Sequence, residues 1–150
     1  MNEQAGTWTM DVALELCQRA LAEGRQRGLA ALTAAVLDSG GHLMALLRSD
    51  GSSLLRPQIA VGKAWGVLAM GFGSREIERR SALQPAFYAA LSDLSAGRVV
   101  PVAGGVLVRD ARGALLGAIG VTGDTADHDE LCAVAAVRAL GLVADTGAQG

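Results

Sequence analysis

Aromatic side chains are nearly missing from this chain: two Trp, two Phe and one Tyr make up 3% of 150 residues. A core without rings has to be built from Ala, Leu and Val, which bury less volume per residue than aromatic side chains. A surplus of one charge is also lacking. The net charge is −2, and no basic cluster is interleaved with aromatics, so there is no electrostatic case for nucleic acid. The two cysteines, Cys17 and Cys132, both sit in helical patterns and read as small buried apolar residues. Such usage suits a reducing compartment rather than a disulfide or a metal pair, and a cytoplasmic location is expected. The opening MNEQAGTWTM lacks a basic patch followed by an apolar core, so no signal peptide is expected. The apolar run Pro57–Ser74 carries Lys63, four glycines and a proline, which argues against a membrane helix. A Ser-His-Asp nucleophile arrangement, a P-loop and a dinucleotide fingerprint are all absent.

What is present is apolar residue in quantity, 51% of the chain, with a mean hydropathy of +0.32. The length predicts one domain over 1–150, with a core at about 9–142 and loose ends up to Gly6 and around Gly147. The excess of apolar residues predicts surface that only a further copy covers, hence a homo-oligomer. The chain is organised around Leu32–Arg48, two apolar runs joined by Asp38-Ser39-Gly40-Gly41, which is the pattern of a β-hairpin. Asp38 can accept hydrogen bonds within the turn, and the glycines can take a positive φ. A like pattern recurs at Val106–Val121. Aligning Asp38 with Asp110 and Gly41 with Gly113 puts His42 where the second hairpin has Ala114.

Helical spacing follows Thr9, an N-cap, and closes at Gly28. Further helices are predicted from Pro57 to about Met70 and from Ala126 to about Leu142, with a charged helical turn at Arg75–Arg80; Ala86–Leu94 is either a short helix after Pro85 or part of an irregular lid. Val99–Val108 is expected to enter the sheet ahead of the second hairpin. The expected architecture is α+β: an antiparallel five-stranded sheet with helices packed on one side, PAS- or profilin-like. Because the strands are nearly continuous apolar runs, both sheet faces should be covered. The second cover is assigned to a neighbouring subunit, with a second helical layer of the same chain as the alternative.

Five residues stand out as candidates for binding or chemistry. His42, at the mouth of a turn, either caps the hairpin or serves as an iron ligand, a proton shuttle or an anion contact. Lys63 shares an apolar helix face with Ile59, Gly66, Val67 and Met70, so it must pair with an acid, snorkel or meet an anionic ligand. Desolvated, it would be a candidate base or Schiff-base amine. Arg48, with Asp50, is either a loop ion pair or the rim of a pocket. Gly104 and Gly105 would allow a bulge or a ligand's close approach. His128 lies among Asp127, Asp129 and Glu130, but neighbours on a first helical turn diverge, so helix-end electrostatics is the simpler reading and no metal site is expected.

The segments AAVLDSGGHLMALLRSDGS, IAVGKAWG, VPVAGGVLVRD and LLGAIGVTGDTADHDE occur in an order that resembles the GlcG/HbpS-type haem-binding family. That family includes the C-terminal domain of PduO-type proteins, and the resemblance spans about Thr9 to Leu142. It implies haem or a related tetrapyrrole as cofactor, and assembly into dimers or higher oligomers. Some members bring a first-helix histidine to the iron, whereas Leu14–Leu21 here contains none. Some carry Gln where this chain has His128. The leading expectation is an oligomeric cofactor-binding protein using His42, Lys63, Arg48, Gly104 and Gly105. The alternatives are an enzyme on a small anionic or carbonyl metabolite, with Lys63 and His42 catalytic, and an accessory assembly protein without ligand.

Overall fold

A computed structural model describes residues 8–148. In chain order the elements are α1 (Met10–Gln26), β1 (Thr33–Asp38), β2 (Leu43–Arg48), α2 (Arg56–Met70) and α3 (Ser74–Leu83). They continue with α4 (Pro85–Leu94), β3 (Gly105–Arg109), β4 (Leu115–Thr122), α5 (Ala126–Ala139) and β5 (Val143–Asp145). The strands form one antiparallel sheet in the order β2-β1-β4-β3-β5, so the α+β class and the five strands are as expected.

Both hairpin turns are built on an aspartate. Asp38 Oδ1 accepts the N–H groups of Gly40 and His42 at 3.0 and 2.9 Å. Asp110 Oδ1 accepts those of Arg112 and Ala114, each at 2.9 Å. Gly41 and Gly113 take φ of 85° and 86°, a conformation that side chains other than glycine's rarely adopt. The residue-for-residue correspondence read from the sequence is therefore a correspondence of conformation.

Three expectations change. The fifth strand is not part of Val99–Val108. Residues up to Gly104 are irregular, and the edge is instead β5, after α5, pairing with β3. Thr146 and Gly147 are not frayed, because Thr146 O accepts the Arg75 N–H at 3.1 Å and the Gly147 N–H reaches Asp145 Oδ1 at 3.1 Å. The loose segment expected up to Gly6 lies outside the described residues.

The third change is the layering, since the helices are divided between the two faces of the sheet rather than grouped on one. Side chains alternate across a strand, so β1 sends Ala34 and Val36 one way and Leu37 the other. On the first face α1 and α5 pack on Ala34, Val36, Val106, Val108, Ile119 and Val121. On the second face α2 packs on Leu37, Leu107 and Ala118 through Ala64 and Val67. The chain's own second helical layer is thus the cover that the sequence reading assigned first to another subunit.

α2 can lie this close because the sheet beneath it is glycine. A Cβ on Gly120 would stand 2.0 Å from the Ala60 carbonyl oxygen, and one on Gly105 2.3 Å from that of Lys63. Within the helix, Gly62 and Gly66 face the Arg98–Val100 segment.

Candidate functional site

Lys63 is 3% exposed, and the fold uses it fully. Its ammonium donates to the Val121 carbonyl at 3.0 Å and to Asp129 Oδ2 at 3.2 Å. Asp129, 1% exposed, accepts the Asp124 N–H on its other oxygen at 2.9 Å. Burial lowers the Lys63 pKa, against the pull of the Asp129 carboxylate. The paired acid foreseen for this lysine lies in its own chain, on α5. Gly104 (φ 122°) and Gly105 adjoin Lys63, but what approaches them closely is the chain itself, the Val121 carbonyl at Gly104 and the α2 backbone at Gly105. A Cβ on Gly104 would stand 2.8 Å from Lys63 Nζ. Ser74 Oγ then accepts the Gly105 N–H at 2.7 Å and donates to the Gly105 carbonyl at 2.9 Å.

His42 stands elsewhere. Thr33 pairs with Thr122, and Asp38 with Gly117, so Val121 and the first hairpin tip lie at opposite ends of β1. Counting from Ala34 to Asp38, the separation is about 13 Å. Lys63 and His42 therefore do not form one centre. The His42 side chain is 81% exposed, and its Nδ1 lies 3.0 and 3.1 Å from the two Asp38 carboxylate oxygens. Burial disfavours the Asp38 carboxylate, yet the His42 N–H, the His42 ring and the Gly40 N–H hold its pKa below the ordinary value. At the start of α5, His128 Nδ1 makes a comparable contact to Asp124 Oδ1 at 2.7 Å. Asp124 also accepts the N–H groups of Ala30 and Thr125, a set that brings its pKa down to about 2.

Beside the first hairpin lies a groove that no single motif announced. Leu46 on β2, Pro57, Val61 and Gly62 on α2, and the segment Ala96–Arg98 enclose about 300 Å³. One helical turn beyond Val61, Trp65 carries the Arg98 guanidinium over its indole at 4.1 Å. A Cβ on Gly41 would come within 3.2 Å of the same indole, so the turn bearing His42 packs against Trp65. Trp65 thus touches both Arg98, which lines the groove, and the first hairpin turn. The sequence signal for this was a single Trp in an Ala- and Gly-rich helix, where one large ring must reach past small neighbours. Leu46, Val61 and Arg98 were each unremarkable alone.

Arg48 belongs to neither place. It donates to the Ser52 carbonyl and, with Asp50, rims a wider cleft of about 560 Å³ floored by Leu21, Leu29, Leu32 and Leu47. Of its two foreseen roles, the pocket rim is the one the geometry shows. Both cysteines are free and buried, and burial pushes the thiols up to about 12 for Cys17 and about 11 for Cys132. Among the described residues, no helix is long and apolar enough to cross a membrane.

Comparison with known proteins supplies the context. The chain is 26% identical over 136 residues to a 15.0 kDa protein of the dhaT-dhaS intergenic region of Citrobacter freundii, covering 91% of this chain and 94% of that one. Its fold superimposes on HbpS of Streptomyces reticuli, seen as a double mutant, with a TM-score of 0.76 at 28% identity. That match covers 89% of this chain and 86% of HbpS. A PduOC:Heme complex matches with a TM-score of 0.80 over 90% of this chain and 96% of that one, and at 23% identity it speaks for the fold alone. The family model described as "Haem degrading protein HbpS-like" matches residues 8–138, nearly the whole described chain. The protein belongs to the HbpS-like family.

Proposed function

We propose that this protein binds a tetrapyrrole, haem or a close relative, on the groove between β2, α2 and the Ala96–Arg98 segment, as a homo-oligomer. The observation that carries the reading is the groove, an apolar slot lined by the Arg98 guanidinium, which stacks on Trp65, in a chain of a haem-associated family. The residues present fit such a group. Leu46, Pro57 and Val61 offer an apolar bed for a flat macrocycle. Arg98, exposed and held over Trp65, offers a cation to an acidic side group. Bound there, haem would supply a redox-active iron.

A volume of about 300 Å³ lies at the small end for ligand sites, so the groove takes one face of such a ring and leaves the other open. Leu83, Phe87 and Leu94 are exposed on and beside α4, where Tyr88 is the buried residue, and they give a second copy apolar surface to meet. Lys63 has no part in this reading. Its hydrogen bonds tie α2 to β4 and α5.

Titration with metal-free protoporphyrin, followed by fluorescence, tests the groove without reference to iron. Saturable binding that Val61→Glu reduces at least tenfold is the expected result. Binding that fails to saturate, or that is indifferent to a charge at Val61, would rule the groove out.

A further inference from the structure

The cleft of about 560 Å³ between the end of α1 and the end of β2 shares no lining residue with the groove. Arg25, Arg48 and Asp50 line it, all three exposed, and among the described residues none of them forms an ion pair. The arginines before and after Arg25 are matched by their spacing. Arg19 meets Glu15 at 2.9 Å and Arg27 meets Glu23 at 2.8 Å, each four residues apart. Four residues before Arg25 stands Leu21, itself part of the cleft wall. The helix end does not need the Arg25 guanidinium either. The carbonyls of Glu23, Gly24 and Arg25 already accept the N–H groups of Arg27, Leu29 and Gly28, at 3.0, 2.9 and 3.1 Å. Arg48 meets only a neutral group, the Ser52 carbonyl.

The walls of the cleft are fixed by hydrogen bonds from outside it. On one side the Ser49 N–H and the Ser52 hydroxyl both donate to the Leu32 carbonyl, at 3.0 and 3.2 Å, which ties the end of β2 and its loop down. On the other side the Ala30 N–H donates to Asp124 Oδ2 at 3.0 Å. The floor between them is Leu21, Leu29, Leu32 and Leu47, with no aromatic ring on which a flat ligand could stack. Such a floor suits an aliphatic body. Two guanidinium groups and one carboxylate leave the lining with a net charge of +1. A monovalent anionic head brings that to neutrality, whereas a second negative charge on the ligand would face Asp50 unbalanced.

We propose that this cleft binds an aliphatic monocarboxylate, its head on Arg25 and Arg48 and its chain on the leucine floor. A guanidinium presents paired N–H donors that match the two oxygens of a carboxylate, so the rim recognises the head by shape as well as by charge. The leucines take the chain out of water. Asp50 sets the selectivity, because it opposes any ligand with a second acidic group. The site stands apart from the tetrapyrrole reading, and either can hold without the other.

Calorimetric titration of the full-length chain with octanoate, 1-octanol and suberate tests this, alongside the variants Arg25→Gln, Asp50→Asn, Leu29→Glu and Val61→Glu. Saturable octanoate binding is expected, about fivefold or more tighter than that of the uncharged alcohol or the dicarboxylate. Arg25→Gln should weaken octanoate about fivefold, and Leu29→Glu, which puts a like charge in the floor, should weaken it further. Asp50→Asn should narrow the gap between suberate and octanoate, and Val61→Glu in the groove should match the parent. Arg25 and Asp50 are exposed, so their variants read binding even if Leu29→Glu unfolds the chain. Octanoate that fails to saturate the parent, or that binds no better than 1-octanol, overturns the proposal. So does an affinity unchanged by Arg25→Gln. If Val61→Glu abolishes octanoate binding while Leu29→Glu spares it, the ligand sits in the groove and the cleft is overturned.

Discussion

The ammonium of Lys63 shows how a side chain that looks reactive in sequence becomes structural in the fold. It holds α2 to α5 through Asp129 and to β4 through the Val121 carbonyl, with both charged partners out of water. Removing one member of such a pair leaves a buried charge uncompensated, which is more damaging than losing the pair whole. Lys63→Met is accordingly expected to destabilise the protein by about 3 kcal/mol in urea unfolding, and adding Asp129→Asn should recover part of that loss. The acid side of the stability profile belongs to other carboxylates. The Asp124 carboxyl, held by the Ala30 and Thr125 N–H groups, titrates at about 2 against an ordinary 3.8. Glu76, clasped by Arg79 and then Arg80, titrates at about 2 against 4.5. Between those limits the unfolded chain binds more protons than the folded one. Stability is therefore complete above about pH 4.5 and falls as pH drops towards 2. Asp124→Asn should flatten that slope in melts taken across the window.

At the scale of elements, α2 is the piece whose placement decides the most. Glycines set its distance from the sheet, and they are not equivalent. Gly120→Ala would drive a methyl into the Ala60 carbonyl and the Ala64 nitrogen, at 2.0 and 2.9 Å, with backbone on both sides and no side chain to give way. A loss of about 1–3 kcal/mol or more is expected from denaturant titration, as for other overpacked cores. Gly66 is the contrast, because a Cβ there meets its nearest neighbours at 3.7 Å. Gly66→Ala should raise stability, by up to about 1 kcal/mol, through helix propensity alone. The sequence reading gave Gly104 and Gly105 two roles, a bulge or the close approach of a ligand. Neither role names a partner, because a glycine pair records only that something comes near. In the fold that something is the α2 backbone at Gly105, and the Val121 carbonyl with the Lys63 side chain at Gly104.

For the molecule as a whole, part of the exposed apolar surface gathers on α3, α4 and the loop before α2. Leu83, Phe87 and Leu94 project from α3 and α4, and Leu54 and Leu55 from the loop before α2. If this surface joins copies, Phe87→Ser with Leu94→Ser should lower the mass seen by light scattering at a given concentration, with far-UV circular dichroism unchanged.

Local chemistry was enough to write the two hairpins, the first, second and last helices and the kinship with HbpS-like proteins directly into the sequence, while Ala86–Leu94 admitted a helix or an irregular lid. An aspartate two and four residues ahead of backbone N–H groups, with a glycine at positive φ, closes a turn wherever it occurs, and period and capping fix helices within a few residues. What the sequence left open was every relation between distant segments: that α2 covers the second face, that the fifth strand follows α5, and that Lys63 meets Asp129 while His42 lies at the other end of the sheet. Those relations depend on strand order and register. Register assigns each side chain its face and its end of the sheet, and neither is expressed in the neighbourhood of any one residue.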